Sequence, residues 1–153
     1  MPNLSVWLYS RSGSSRPSVL FYQMEALRET AEKRGYIIIG NSQDMGTGRS
    51  IARVGLRKMM QAARAGTVHA VLVQNLTRLS HDLSIQIKIL EFLQDYGTIL
   101  VTTESDLRYE LYIRGLEDRL IRRAIRKGCG LPWRGGEDCG RYTYPQYALP
   151  RPD

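Results

Sequence analysis

Apolar positions along the chain alternate between short continuous runs and helical spacings of three and four, and that alternation predicts the fold. Residues 4–9, centred on Val6 and Leu8, read as a buried strand, and the small polar stretch 10–15 around Gly13 as a loop. Pro17 stands where a helix can begin without losing a needed N–H. Leu20, Met24, Leu27 and Ala31 follow at helical spacing, and Gly35 closes the segment. Residues 36–39 read as a second, β-branched strand and 44–48 as the loop behind it. A helix over 51–65 presents Leu56, Met59, Met60 and Ala63, with Gly66 as its stop. Residues 68–73 form a continuous apolar run of the kind buried on both faces of a parallel sheet. A helix over 83–96 with Ile85, Ile89, Leu90 and Leu93 ends at Gly97, and a fourth strand spans 99–101. From 107 to 127 a longer helix shows Ile113, Leu116, Leu120 and Ala124 on one stripe.

Strands alternating with helices of this length predict βαβ units, hence a three-layer α/β domain. Its central sheet is expected to be mostly parallel, with about four or five strands, followed by a long C-terminal helix. The expected organisation is a domain over 1–106, a basic amphipathic helix over 107–127 and an irregular tail over 128–153. In such sheets ligands bind beyond the carboxyl ends of the strands. That rule draws attention to the loops holding Arg11, Thr47-Gly48 and Arg78.

No run of about 18 apolar residues exists, so no membrane partner is expected. The first residues do not read as a secretory signal. Cys129 and Cys139 make no disulfide framework and are not at zinc spacing, so a cytoplasmic protein without a metal is expected. Charge changes the picture more. The formal net charge is +7, and residues 107–127 hold seven of the 22 Lys and Arg against Glu110, Glu117 and Asp118. A concentrated basic stripe suits a phosphate-bearing partner, because neutralising phosphates releases counterions. A solubilising helix face is the other reading of the same charges.

Four pieces of sequence stand at the ends of the predicted strands. Tyr9-Ser10-Arg11 ends the first, with Gln23 in the helix behind it, and Asp44 to Thr47-Gly48 follows the second. Arg53-Val54-Gly55-Leu56 comes next, and Thr77-Arg78-Leu79-Ser80-His81-Asp82 follows the third strand. In order, spacing and placement this set resembles the catalytic domain of resolvase/invertase-type serine recombinases, from about residue 4 to residue 104. Those proteins carry Tyr-x-Arg-Val-Ser, Asp-x-x-x-Ser-Gly, Arg-Pro-x-Leu and Asp-Arg-Leu-x-Arg-Asp. The resemblance implies a resolvase-like fold acting on double-stranded DNA as a homodimer or homotetramer, with no cofactor. A serine hydroxyl attacks a phosphodiester and is left as a phosphoserine. Without a metal, arginine forks must stabilise the transferring phosphoryl group, a role that falls by resemblance to Arg11, Arg53 and Arg78.

The departures are equally specific. The nucleophile's place, four positions after Tyr9, is Gly13, flanked by Ser12 and Ser14. The spacing from Arg11 to Gln23 accommodates one inserted residue, which favours Ser14 over Ser12 as nucleophile; both also suit a simple loop. Thr77 replaces the family's Asp and removes a carboxylate that could orient an arginine or move a proton. His81 replaces the motif's second Arg, and a histidine is charged only near or below its pKa. The changes fit an impaired enzyme. The alternative is a catalytically inactive relative that regulates by binding DNA or a recombinase partner. A third reading, a flavodoxin-like anion binder at the Ser-rich loop, leaves Arg53 and Arg78 unexplained.

The 107–127 segment corresponds in position to the family's long helix, which pairs subunits and lies across the minor groove. Arg119, Arg122, Arg123 and Arg126 would form its DNA-facing edge, the other reading being a helix packed on its own domain. The tail, with Trp133, Tyr142, Tyr144 and Tyr147 among glycines and prolines, is too short for a helix-turn-helix module.

Overall fold

The computed structural model describes residues 4–13, 16–46 and 53–133. Four strands, β1 (Ser5–Ser12), β2 (Ile37–Met45), β3 (Ala70–Val73) and β4 (Ile99–Thr102), form one sheet in the order β2-β1-β3-β4. Every pairing is parallel. Five helices surround it: α1 (Pro17–Lys33), α2 (Val54–Arg64), α3 (Leu83–Asp95), α4 (Leu107–Ile113) and α5 (Glu117–Lys127). A single 3-10 turn, Leu76–Arg78, follows β3. This is the expected α/β architecture, with four strands.

Alternation along the strands sorts the core onto two faces. On one, Val6, Leu8, Ala70 and Leu72 pack under Met24, Leu27 and Ala31 of α1. On the other, Tyr9, Val71 and Val73 meet Leu56, Met59 and Ala63 of α2 and Ile89, Leu90 and Leu93 of α3. The strand order reverses direction between β1 and β3. A parallel sheet opens its ligand crevice at that point, beyond the carboxyl ends of those two strands.

Two strands run further than their apolar cores. β1 continues through Arg11 and Ser12, and β2 through Asp44 and Met45, because the two stay paired there, Arg11 opposite Asp44 and Ser12 opposite Met45. The expected loop at 10–15 therefore begins later than its polarity suggested. Residues 47–52, 14–15 and the tail from 134, including Ser14, Thr47-Gly48 and Cys139, lie outside the described residues.

The long helix expected over 107–127 is instead two helices. Gly115 takes φ +74 and closes α4. Its N–H donates to Tyr112 O at 3.0 Å while Leu116 N–H reaches back to Leu111 O at 2.8 Å. That pair of bonds is a Schellman stop, for which glycine in the left-handed region is the favoured residue. The apolar spacing runs unbroken across the stop but the burial does not. Ile113 is 55% exposed, whereas Leu120, Ile121 and Ala124 are buried.

α5 folds back onto α3 through polar contacts. Arg123, itself buried, donates from Nη1 to Glu91 O (3.1 Å) and Gln94 Oε1 (3.0 Å), and from Nη2 to Asp95 Oδ1 (2.8 Å). Gln94 returns the contact by donating to Leu120 O at 3.0 Å and Gly130 O at 3.2 Å. Arg108 on α4 pairs with buried Glu117 on α5 at 2.6 Å. No helix among the described residues is long and apolar enough to cross a membrane. Arg123→Ala leaves the Gln94 oxygen and the Glu91 carbonyl without their donor and should cost about 2–3 kcal/mol. Arg122→Ala, removing an exposed i,i+4 partner of Asp118, should stay within about 0.5 kcal/mol. Urea-unfolding midpoints of the two variants check the contrast.

Candidate functional site

Beyond the carboxyl ends of β1, β2 and β3 the polar residues form one connected group, and Arg11 is its hub. The Arg11 side chain is fully buried, at 1% exposure. Its Nε donates to Arg78 O at 3.2 Å, Nη1 to Gly46 O at 2.7 Å and Nη2 to Thr77 O at 2.6 Å. One guanidinium thus ties the end of β1 to the end of β2 and to the turn after β3. Burial, then the nearby charge of Arg53, pushes its pKa down from the ordinary arginine value.

Asp44 is the second organiser. Its carboxylate accepts from Tyr9 OH at 2.7 Å, from Gly55 N–H at 2.7 Å and from Leu56 N–H at 2.8 Å. It therefore caps the first turn of α2 from the neighbouring strand, where the helix's own N-cap residue, Arg53, offers no side-chain acceptor. Close approach requires Gly55: a Cβ there would stand 2.5 Å from Gln43 O and 2.9 Å from Asp44 Oδ2. Burial and the Asp44 hydrogen bond push the Tyr9 phenol far above its ordinary value, so Tyr9 acts here as a neutral donor.

Arg53 lies between these groups. One Nη2 hydrogen bond goes to Leu79 O, Nε stands 3.8 Å from Asp44 Oδ2, and Cζ lies 6.0 Å from the Tyr9 ring centroid. Its Nε and Nη1 are buried and have no hydrogen-bond acceptor among the described residues. Arg78 donates from Nε to Gln74 Oε1 at 2.9 Å and from Nη1 to Arg11 O at 3.2 Å. Arg11, Arg53 and Arg78 are thus brought together, but in unequal circumstances. Arg11 has all three of its nitrogens on backbone carbonyls, while Arg53 keeps donors unused.

The serine candidates diverge. Ser12 is buried in β1, Gly13 is exposed and Ser14 lies outside the described residues. A Cβ at Gly13 would meet only Gly46 O, at 3.9 Å, so the position has room for a side chain. Ser10, also buried, donates to Gln23 Oε1 at 2.5 Å and joins β1 to α1. His81 is exposed, next to Asp82, which caps α3 by accepting from Ser84 N–H and Oγ–H. Those two bonds hold the Asp82 carboxyl below its ordinary value.

On α5, Arg119 is 58% exposed beside Glu91, Arg122 is 77% exposed beside Asp118, and Arg126 is exposed. Arg123 is not on that surface; its guanidinium is committed to α3. Sequence reasoning missed Gln74, which accepts from Arg78 Nε, and Glu104, which accepts from Gln74 and Asn75. Their position beyond the carboxyl ends of β3 and β4 was the available signal.

The family description "Resolvase, N terminal domain" matches residues 6–126. No curated protein sequence matches the chain. Among solved structures, the C-terminal catalytic domain of ISC1926 TnpA, an IS607-like serine recombinase, is similar at 21% identity and a TM-score of 0.62; the match covers 94% of this chain and 92% of that one. The N-terminal catalytic domain of TP901-1 integrase is similar at 18% identity and a TM-score of 0.63, over 80% and 97% of the two chains. A resolvase family site-specific recombinase from Streptococcus pneumoniae is similar at 25% identity and a TM-score of 0.57, over 82% and 92%. With its ordered strand-end motifs, its all-parallel sheet and a family match over most of its length, the chain belongs to the resolvase N-terminal domain family, that of the serine recombinase catalytic domain.

Proposed function

We propose that this domain binds double-stranded DNA with a phosphodiester seated in the crevice beyond β1 and β3, and that it does so as a homodimer or homotetramer. The observation that carries the reading is Arg53. Among the described residues its buried Nε and Nη1 make no hydrogen bond, the Asp44 carboxylate standing 3.8 Å from Nε, and unmade hydrogen bonds from a charged group are costly unless a ligand completes them. A phosphate oxygen is the acceptor that suits a guanidinium fork, and Arg78 lies in the same group. Arg119, Arg122 and Arg126 would add contacts to neighbouring phosphates. The likeness to an IS607-like serine recombinase and to the TP901-1 integrase supports a role in mobile-element recombination.

The chemistry is transfer of the phosphodiester to a serine. The Ser Oγ–P bond forms as the P–O bond to one sugar breaks, the hydroxyl proton passing to the departing sugar oxygen. Ser12 is buried within β1, so Ser14 is the better candidate for this attack. A second reading has its own support: Gly13, Thr77 and His81 remove a hydroxyl, a carboxylate and a permanent cation from one site. In that reading the domain binds DNA or a recombinase partner and regulates.

Incubation with supercoiled DNA carrying the native flanking sequence, followed by a detergent quench, separates the readings by detecting covalently joined protein. An adduct that is lost in Ser14→Ala and kept in Ser12→Ala is expected of an active enzyme. Gly13→Ser fits the structure and should raise adduct formation. An adduct seen only in Gly13→Ser identifies an inactive site that is otherwise intact. None in either protein overturns the catalytic reading.

The arginines should also separate. Arg11→Ala strips the donor from three carbonyls and should cost about 3 kcal/mol of stability or more. Arg78→Ala should cost about 1 kcal/mol and lower the salt slope of DNA binding by about one. Urea unfolding and a salt series of duplex binding measure both.

A further inference from the structure

Thr77 stands where the family has a carboxylate, and a carboxylate reaches the same turn from β4. Leaving β4, the chain crosses the end of β3: Thr103 N–H donates to Val73 O and Glu104 N–H to Gln74 O, both at 3.0 Å. This pairing sets the Glu104 side chain against the turn. One oxygen accepts from Gln74 Nε2 and the other from Asn75 Nδ2, the latter at 2.9 Å.

The Gln74 amide then has a single workable orientation. Its nitrogen faces a carboxylate, which only accepts, so its oxygen faces Arg78, whose Nε–H donates at 2.9 Å. Reversing the amide would set oxygen against carboxylate and NH2 against guanidinium. Asn75 is fixed by the same logic, with Nδ2 on Glu104 and Oδ1 accepting from Thr77 Oγ1 at 2.5 Å. Two amides are therefore polarised by one negative charge, and one of them grips the arginine.

We infer that Glu104 is a positioning residue for Arg78, supplying from β4 the carboxylate that position 77 lacks and acting through Gln74 to aim the guanidinium at a DNA phosphodiester. The inference rests on the DNA-binding reading given above. With Nε on Gln74 and Nη1 on Arg11 O, the fork is held along one side and Nη2 is the corner left for a phosphate oxygen.

Glu104→Gln tests this with a side chain of the same shape. Its NH2 competes with its oxygen for Gln74: with NH2 there the Gln74 amide turns and presents NH2 to Arg78, and in either orientation the negative charge that fixed both amides is gone. The Arg78 Nε–H resonance of the DNA-free protein should exchange with water faster, by up to about tenfold, the worth of one hydrogen bond. Adding Gln74→Glu should restore slow exchange, because a carboxylate at 74 accepts from both sides. On a random-sequence DNA duplex at low salt, Glu104→Gln should bind about threefold to tenfold more weakly, again the worth of one hydrogen bond. Charge alone gives the opposite sign, since removing a negative charge strengthens DNA binding.

Unchanged Arg78 exchange in Glu104→Gln overturns the inference, as does failure of the double variant to restore it. So does tighter DNA binding by Glu104→Gln when Arg78→Ala weakens it. If Arg78→Ala leaves DNA binding untouched, the DNA-binding reading fails instead, while the exchange measurement still decides whether Glu104 positions Arg78.

Discussion

A buried guanidinium that serves three backbone carbonyls holds the carboxyl end of this sheet together. Burying a charge is expensive unless its donors are satisfied, and Arg11 meets that condition with Arg78 O, Thr77 O and Gly46 O. Those acceptors belong to the ends of β2 and the turn behind β3, segments too polar to be held by apolar packing. Without the staple, three carbonyls at the mouth of the crevice lose their donor, and the Tyr9–Asp44–Gly55 links lose the strand end that positions them.

Asp44 extends the same constraint to α2. A carboxylate at a helix N-terminus meets both unpaired N–H groups and the positive end of the helix dipole. Here the acid comes from β2, so the helix start and the strand end are fixed to each other, and Gly55 allows the distance. The Trp7 indole donating to Ser42, and Ser42 to Gly55 O, brace the same junction from below. Arg53, the residue before α2, is delivered into the group by that junction and by its own hydrogen bond to Leu79 O.

Much of the fold was legible because burial writes a period into the sequence. The helical spacing of Leu20, Met24, Leu27 and Ala31 and the apolar run of β3 appear as read. Polar positions that are ordered by tertiary contact leave no such trace. Ser10, Arg11 and Ser12 continue β1, and Asn41 to Asp44 continue β2, through pairing alone. The break at Gly115 was hidden for the converse reason: the apolar stripe continues across it, and only the Schellman geometry and the Arg123 contacts show that α5 turns back. In the site, the motif arginines were legible as a set, but their different duties were not. Spacing says nothing about whether a guanidinium faces carbonyls or a cavity, and the amides around Arg78 belong to no motif.

Those duties decide what each arginine says about function. The fold alone accounts for Arg11, because its removal would leave carbonyls unpaired whether or not DNA is ever bound. Arg123 is accounted for in the same way, so its place in a basic helix says little about nucleic acid. Arg53 is different. Two of its buried nitrogens have no acceptor among the described residues, and a buried cation in that state lowers stability. A residue that costs the fold something is the one whose presence calls for a ligand. The positions that depart from the motifs in the sequence reading are consistent with this: none of Gly13, Thr77 and His81 contributes a side chain to the Arg11 or Asp44 contacts. Those positions can therefore vary without disturbing the frame built on Arg11 and Asp44, which is why the frame and the nucleophile must be tested separately.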